Sequence, residues 1–124
     1  MTNLVNLDAG KNCGINDEGI YQLNLTVLLA SDNPKITNVN HMSKLVTLCA
    51  ADRSGITDLG IIRVNLTELY ARNNSKITNV NHMSNLVILY AGENCGLTDD
   101  GINQLNLREL NSVFNPKITI NIDY

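Results

Sequence analysis

The sequence predicts an α/β repeat solenoid of six short units, and two observations carry that prediction. Leu4, Leu25, Leu45, Leu66, Leu86 and Leu107 are spaced by 21, 20, 21, 20 and 21 residues. Each is followed three positions later by a second leucine: Leu7, Leu28, Leu48, Leu69, Leu89 and Leu110. A fixed period of this length means one supersecondary unit stacked on copies of itself, and it outranks any window-by-window reading.

Within each unit the pattern continues in register. Two residues after the second leucine stands Ala9, Ala30, Ala50, Ala71, Ala91 or Ser112. Leu-x-Ala is the period of a strand with alternate side chains turned inward, and alanine there calls for a thin interior. Next come Asn12, Asn33, Arg53, Asn74, Asn94 and Asn115, then Ile15, Ile36, Ile56, Ile77, Leu97 and Ile118. An asparagine amide both donates and accepts, so this column reads as a ladder that satisfies backbone groups where each strand turns. The ladder residues are Asn12, Asn33, Asn74, Asn94 and Asn115. Arg53 donates only and should swing outward, interrupting the ladder, so that Arg53→Asn would gain about 1–2 kcal/mol. The line reads LxxLxAxxNxxI, in one domain over 1–124 with units 4–24, 25–44, 45–65, 66–85, 86–106 and 107–124 and no evident caps.

Two unit types alternate. The odd units carry Thr57/Asp58 or Thr98/Asp99 ahead of Gly60, Ile61 or Gly101, Ile102, which reads as one capped helical turn. The even units carry Val39/Met42 and Val80/Met83, spaced to face inward from a short 3₁₀ or extended segment.

The line LxxLxAxxNxxI resembles the leucine-rich-repeat family, with alanine in place of the third leucine, over essentially the whole chain. The ITD and ITN phrases are most similar to its short internalin-type and phosphatase-regulator-type members. The resemblance implies a curved stack: a parallel β-sheet of about six strands on the concave face, with short helical, 3₁₀ or extended segments on the convex face.

Composition narrows the function classes. Apolar residues make up 44% and charged ones 17%, with one Phe and no Trp, so the core is built from medium aliphatics. A net charge of −3 offers no positive field for nucleic acid. No stretch approaches a membrane span, and the chain opens without a secretory pattern. Three cysteines, an odd number, favour a reducing compartment and so the cytoplasm. Cys13 and Cys95 share a slot four units apart, roughly 19 Å, too far for a disulfide.

Catalysis finds little support. His41 and His82 occupy equivalent slots roughly 10 Å apart, beyond one metal ion's reach. Asp17/Glu18 and Asp99/Asp100 recur because the unit recurs, and read as caps or a solvated face. Asn24, Asn65 and Asn73 fit a glycosylation pattern that arises wherever an Asn-rich turn meets the next unit. No cofactor or metal is expected.

If the strand leucines and alanines point inward, the residues between them line the concave face as Asp8, Leu29, Cys49, Tyr70, Tyr90, Asn111 and as Asn6, Val27, Thr47, Glu68, Ile88, Glu109. The candidate binding set is Val27, Leu29, Thr47, Cys49, Glu68, Tyr70, Arg72, Ile88 and Tyr90. One reading makes this apolar strip, bordered by Asp8, Asp32, Asp52, Glu68, Glu93 and Glu109, a protein- or peptide-binding surface. The other holds that sheet positions simply favour Tyr, Val, Ile and Thr. An alternative function is a self-associating, engineered or truncated array with a structural role, forming homo-oligomers through its terminal strand edges or its concave face. In the third unit, Leu59 and Ile62 replace polar residues, through drift or as an outer contact site.

Overall fold

The computed structural model describes residues 4–11 and 13–120. Six three-residue strands form one all-parallel sheet in sequence order: β1 (Asn6–Asp8), β2 (Val27–Leu29), β3 (Thr47–Cys49), β4 (Glu68–Tyr70), β5 (Ile88–Tyr90) and β6 (Glu109–Asn111). Their register places Leu7, Leu28, Leu48, Leu69, Leu89 and Leu110 in one row. Period-two alternation buries Leu28, Leu48, Leu69 and Leu89, partly buries Leu7 and Leu110, and turns the flanking residues to the open face of the sheet. Behind the row the alanines from Ala9 to Ala91 are fully buried.

The return segments differ by unit type. Odd units make one helical turn each: α1 (Asp17–Ile20), a 3₁₀ turn at Leu59–Ile61, and α2 (Asp99–Ile102). Ile20, Ile61 and Ile102 drop from these turns into the core. Even units make no helix among the described residues, and Val39, Met42, Val80 and Met83 fill the same layer.

The chain leaves each strand through a residue in the left-handed region. Lys11, Asp32, Asp52, Asn73, Glu93 and Phe114 all have φ between 57° and 63°. Only glycine adopts this without cost, with Asn and Asp next. The conformation is held because the first five each donate their amide to a carbonyl of the following unit, as Asp52 N does to Arg72 O at 2.9 Å.

Just beyond that bend, the asparagine ladder has three rungs among the described residues. Asn33 Nδ2 donates to Ala9 O and Ile15 O, Asn74 Nδ2 to Ala50 O and Ile56 O, and Asn115 Nδ2 to Ala91 O and Leu97 O, at 2.7–3.2 Å. Asn12 lies outside the described residues. Asn94 departs from the expectation: it is exposed, and its neighbour Cys95 is buried instead. Arg53 is likewise exposed, with Ser54 buried behind it. The left-handed residue stands at the same place in every unit. In the third and fifth units, however, the hydrogen-bonded turn around it closes one residue later, Ser54 N to Ala51 O and Cys95 N to Gly92 O, against Asn33 N to Ala30 O and Asn74 N to Ala71 O. The interior slot there takes a small side chain. Arg53 therefore interrupts nothing, and Arg53→Asn gains no rung.

The acidic residues of the odd units do not cap their own turns either. Asp17, Asp58 and Asp99 each reach into the next unit, where Oδ1 accepts from the amide of Thr37, Thr78 or Thr119 at 2.8 Å. Oδ2 takes the hydroxyl of the same threonine. Within α1 the cap is Asn16, whose side chain accepts from Gly19 N. Even units grip forward differently: Asn40 Nδ2 donates to Leu59 O and Asn81 Nδ2 to Asp100 O, both at 2.8 Å. Beside these, Gly60 and Gly101 lie so close to Thr37 O and Thr78 O that a Cβ at either position would overlap the carbonyl. Odd-to-even junctions are thus clipped by carboxylates, and even-to-odd junctions by the Asn40 and Asn81 amides together with glycine backbone packed on carbonyls.

Asn74→Ala should cost about 2–3 kcal/mol in urea unfolding, because it strands two buried carbonyls. Asn94→Ala should change stability by less than about 0.5 kcal/mol; equal losses would contradict the alternation of slots. The threonine hydroxyl and amide hold Asp99 below its ordinary carboxylate value of 3.8. A depressed folded value contributes stability that is present above the unfolded value and lost as pH falls through the folded one. Melting temperature should therefore drop on acidification below pH 3.8, and Asp99→Asn should flatten part of that slope. An unchanged acid limb would remove Asp99 from the account.

Candidate binding face of the sheet

Strands of three residues expose two side chains each, so the open face carries two parallel columns. Register pairs Val27 with Thr47, Thr47 with Glu68 and Glu68 with Ile88, and beside them Leu29 with Cys49, Cys49 with Tyr70 and Tyr70 with Tyr90. All eight of these residues are half-buried. They touch water on one side and their column neighbours on the other, which makes the strip continuous over β2 to β5. Asn6, Asp8 and Glu109 at its ends are exposed.

The aromatic centre is a pair. Tyr70 and Tyr90 have ring centroids 4.9 Å apart and planes tilted by 52°, within the range of favourable aromatic contacts. Each phenol is tethered to a carboxylate: Tyr70 Oη donates to Glu68 Oε1 at 2.7 Å, and Tyr90 Oη to Glu109 Oε2 at 2.6 Å. Hydrogen bonding to Glu68, then burial and the charge of Glu68, push the Tyr70 phenol well above the ordinary phenol value. Glu109 pushes Tyr90 the same way. Burial, with the charges of Glu68 and Asp8, pushes the Cys49 thiol up, so it sits in the strip as a small neutral group.

Arg72 lies just beyond the strip and is exposed. Its guanidinium bridges Glu93 at 2.9 Å and Asp52 at 3.5 Å, crossing three units. Arg53 pairs with Asp32 at 3.4 Å on the same border. These exposed pairs contribute little stability. They do arrange the border so that carboxylates outnumber the two arginines. At the β1 end, a groove of about 460 Å³ opens between Leu29, Asp8, Lys11, Asp32 and Asp52.

Comparison with protein-family models, with curated proteins and with solved structures finds no match to this chain.

All nine residues of the sequence-derived set lie on or beside this face: eight form the strip and Arg72 its border. The histidines lie elsewhere, each bound to backbone, His41 Nε2 to Ile20 O at 2.9 Å and His82 Nε2 to Ile61 O at 3.0 Å. Asn24 and Asn65 also work between units, Asn24 Oδ1 accepting from Lys44 N and Asn65 Oδ1 from Asn85 N. Among the described residues no three His, Cys, Asp or Glu side chains gather as a metal site, and no helix is long and apolar enough to cross a membrane. An outer groove of about 560 Å³, in which Tyr21, Ile62 and Arg63 rise around His41 and Asn40, includes the Ile62 that the sequence offered as an outer contact but also Tyr21, which sequence reasoning missed. Leu59 is exposed near it, at 75%. The signal available was the apolar substitution in the third unit; the partner side chain Tyr21 stands two units away.

Loss of the carboxylate should release its phenol. In Glu68→Gln, the alkaline titration of the Tyr70 ring resonances should move down toward the ordinary value near 10. A titration that does not move would exclude the Tyr70–Glu68 bond in solution.

Proposed function

We propose that the chain is a non-catalytic scaffold of the leucine-rich-repeat kind, a curved solenoid that binds a protein or peptide on the open face of its sheet. The observation that carries this reading is the continuous half-buried strip around Tyr70 and Tyr90. Interface hot spots favour aromatic residues that are already ordered and ringed by polar groups. The two tyrosines meet both conditions, since each ring is packed on the other and each phenol is held by a glutamate. Little conformational entropy remains to be lost when a partner covers them. The acidic border gives such a partner its polarity: apolar at the centre, with lysine or arginine toward its edges.

Simple sheet propensity would fill these positions with the same residue types. It gives no reason for both phenols to be tethered to carboxylates across or along the strands. Short peptides selected on the wild-type chain from a displayed library should lose about 30-fold in affinity against Tyr70→Ala/Tyr90→Ala, roughly 2 kcal/mol. Unfolding by urea should remain cooperative in that variant. Selected peptides that bind both chains equally would refute the assignment of the face.

A further inference from the structure

The outer groove over the second unit shares its floor with a hollow over the fourth, and only the walls differ. Residues 35–43 and 76–84 are letter for letter the same, Lys-Ile-Thr-Asn-Val-Asn-His-Met-Ser. Their scaffolding bonds coincide as well. Asn40 holds Leu59 O and Arg63 N as Asn81 holds Asp100 O and Gln104 N. His41 meets Ile20 O as His82 meets Ile61 O. On this common floor the second unit carries a groove of about 560 Å³, and the fourth a hollow of about 280 Å³.

The difference lies in three slots of the odd units. Leu59, Ile62 and Arg63 of the third unit stand where the fifth has Asp100, Asn103 and Gln104. Leu59 and Ile62 are exposed although apolar. Over the second unit, Ile62 therefore faces Tyr21 of the first unit across the groove, with Arg63 beside it. Over the fourth unit the slots of Ile62 and Arg63 belong to two amides. Exposed apolar side chains gathered inside a polar rim mark an interaction surface.

Charge selects what fits between these walls. Asp17, the carboxylate in the lining, has both oxygens occupied: Oδ1 accepts from the amides of Thr37 and Asn38, and Oδ2 from the Thr37 hydroxyl. The Arg63 guanidinium meets no carboxylate among the described residues, unlike those of Arg53 and Arg72. A free guanidinium beside an apolar slot suits an apolar side chain with a carboxylate next to it. The amides of Asn38, Asn40 and Arg63 are spent inside the chain, so these cannot form the backbone cradle that captures a chain terminus. A side-chain carboxylate is the better match.

We infer that the outer groove binds a segment of a partner protein in which an aliphatic or aromatic residue adjoins an aspartate or glutamate. The apolar side chain sits between Tyr21 and Ile62, and the carboxylate pairs with Arg63. This surface stands on the return segments, away from the strands, and its charge preference is the reverse of that of the acid-bordered open face. It is independent of what the open face binds.

Short peptides selected on the wild-type chain from a displayed library, then scored against two variants, test this. Ile62→Asn/Arg63→Gln gives the third unit the residues that the fifth carries in the same slots, so it should melt with the wild type. If it melts lower, Arg63→Gln alone makes the same comparison. The expected result is a class of peptides that joins an apolar residue to Asp or Glu. That class should lose about tenfold in affinity against Ile62→Asn/Arg63→Gln, the worth of a charge-assisted hydrogen bond. It should bind Tyr70→Ala/Tyr90→Ala as it binds the wild type, and weaken as salt is raised. Peptides that bind Ile62→Asn/Arg63→Gln undiminished, that carry no acidic residue, or that lose binding when their C-terminus is amidated would overturn the inference. A selection yielding only peptides sensitive to Tyr70→Ala/Tyr90→Ala would uphold the open face and overturn the groove.

Discussion

A three-residue strand makes few hydrogen bonds, so the stack depends on what happens to the backbone where each strand ends. There the chain turns through a left-handed residue and leaves carbonyls facing the interior, where water cannot reach them. The side-chain amides of Asn33, Asn74 and Asn115 supply the donors, two bonds each, and every one reaches into the preceding unit. The asparagine therefore satisfies the bend and sets the spacing between units in a single step. No buried side-chain nitrogen or oxygen among the described residues lacks a partner.

Because the rungs among the described residues all stand in even units, adjacent junctions there cannot be alike. Odd-to-even junctions draw their specificity from Asp17, Asp58 and Asp99, whose carboxylates each take a threonine amide and hydroxyl. Even-to-odd junctions draw it from the Asn40 and Asn81 amides and from shape, with glycine where carbonyls approach. A mispaired neighbour would meet a carboxylate without its threonine, or a carbonyl against a Cβ. The polarity of the stack follows.

Electrostatics on the open face follow from the strand period. Glu68 and Tyr70 are two residues apart and so share a face, and parallel register sets Tyr90 beside Tyr70. The carboxylates hold the phenols protonated and aimed, and Arg72 ties the border across three units. The proposed binding role rests on this order: a rigid aromatic pair in an acidic frame.

The 20/21 alternation, the six strands, the buried leucine and alanine rows and the two face columns were legible in the amino-acid sequence, because each depends on residues only a few positions apart and recurs six times. The column of asparagines was legible only in part. Asn74 and Asn94 occupy the same place in the line, and nothing local distinguishes the rung from the exposed residue; the difference arises because the odd-unit bend carries Ser54 or Cys95 into the interior instead. Tertiary structure also decided the acceptors of Asp17, Asp58 and Asp99, which lie 20 residues onward. It placed Tyr21 beside Ile62 as well, across an intervening unit. Periodicity identifies which residues face inward, since that depends on the local geometry of one strand. Which of two neighbouring units a side chain grips depends on how the units stack, and that is decided only when the stack forms.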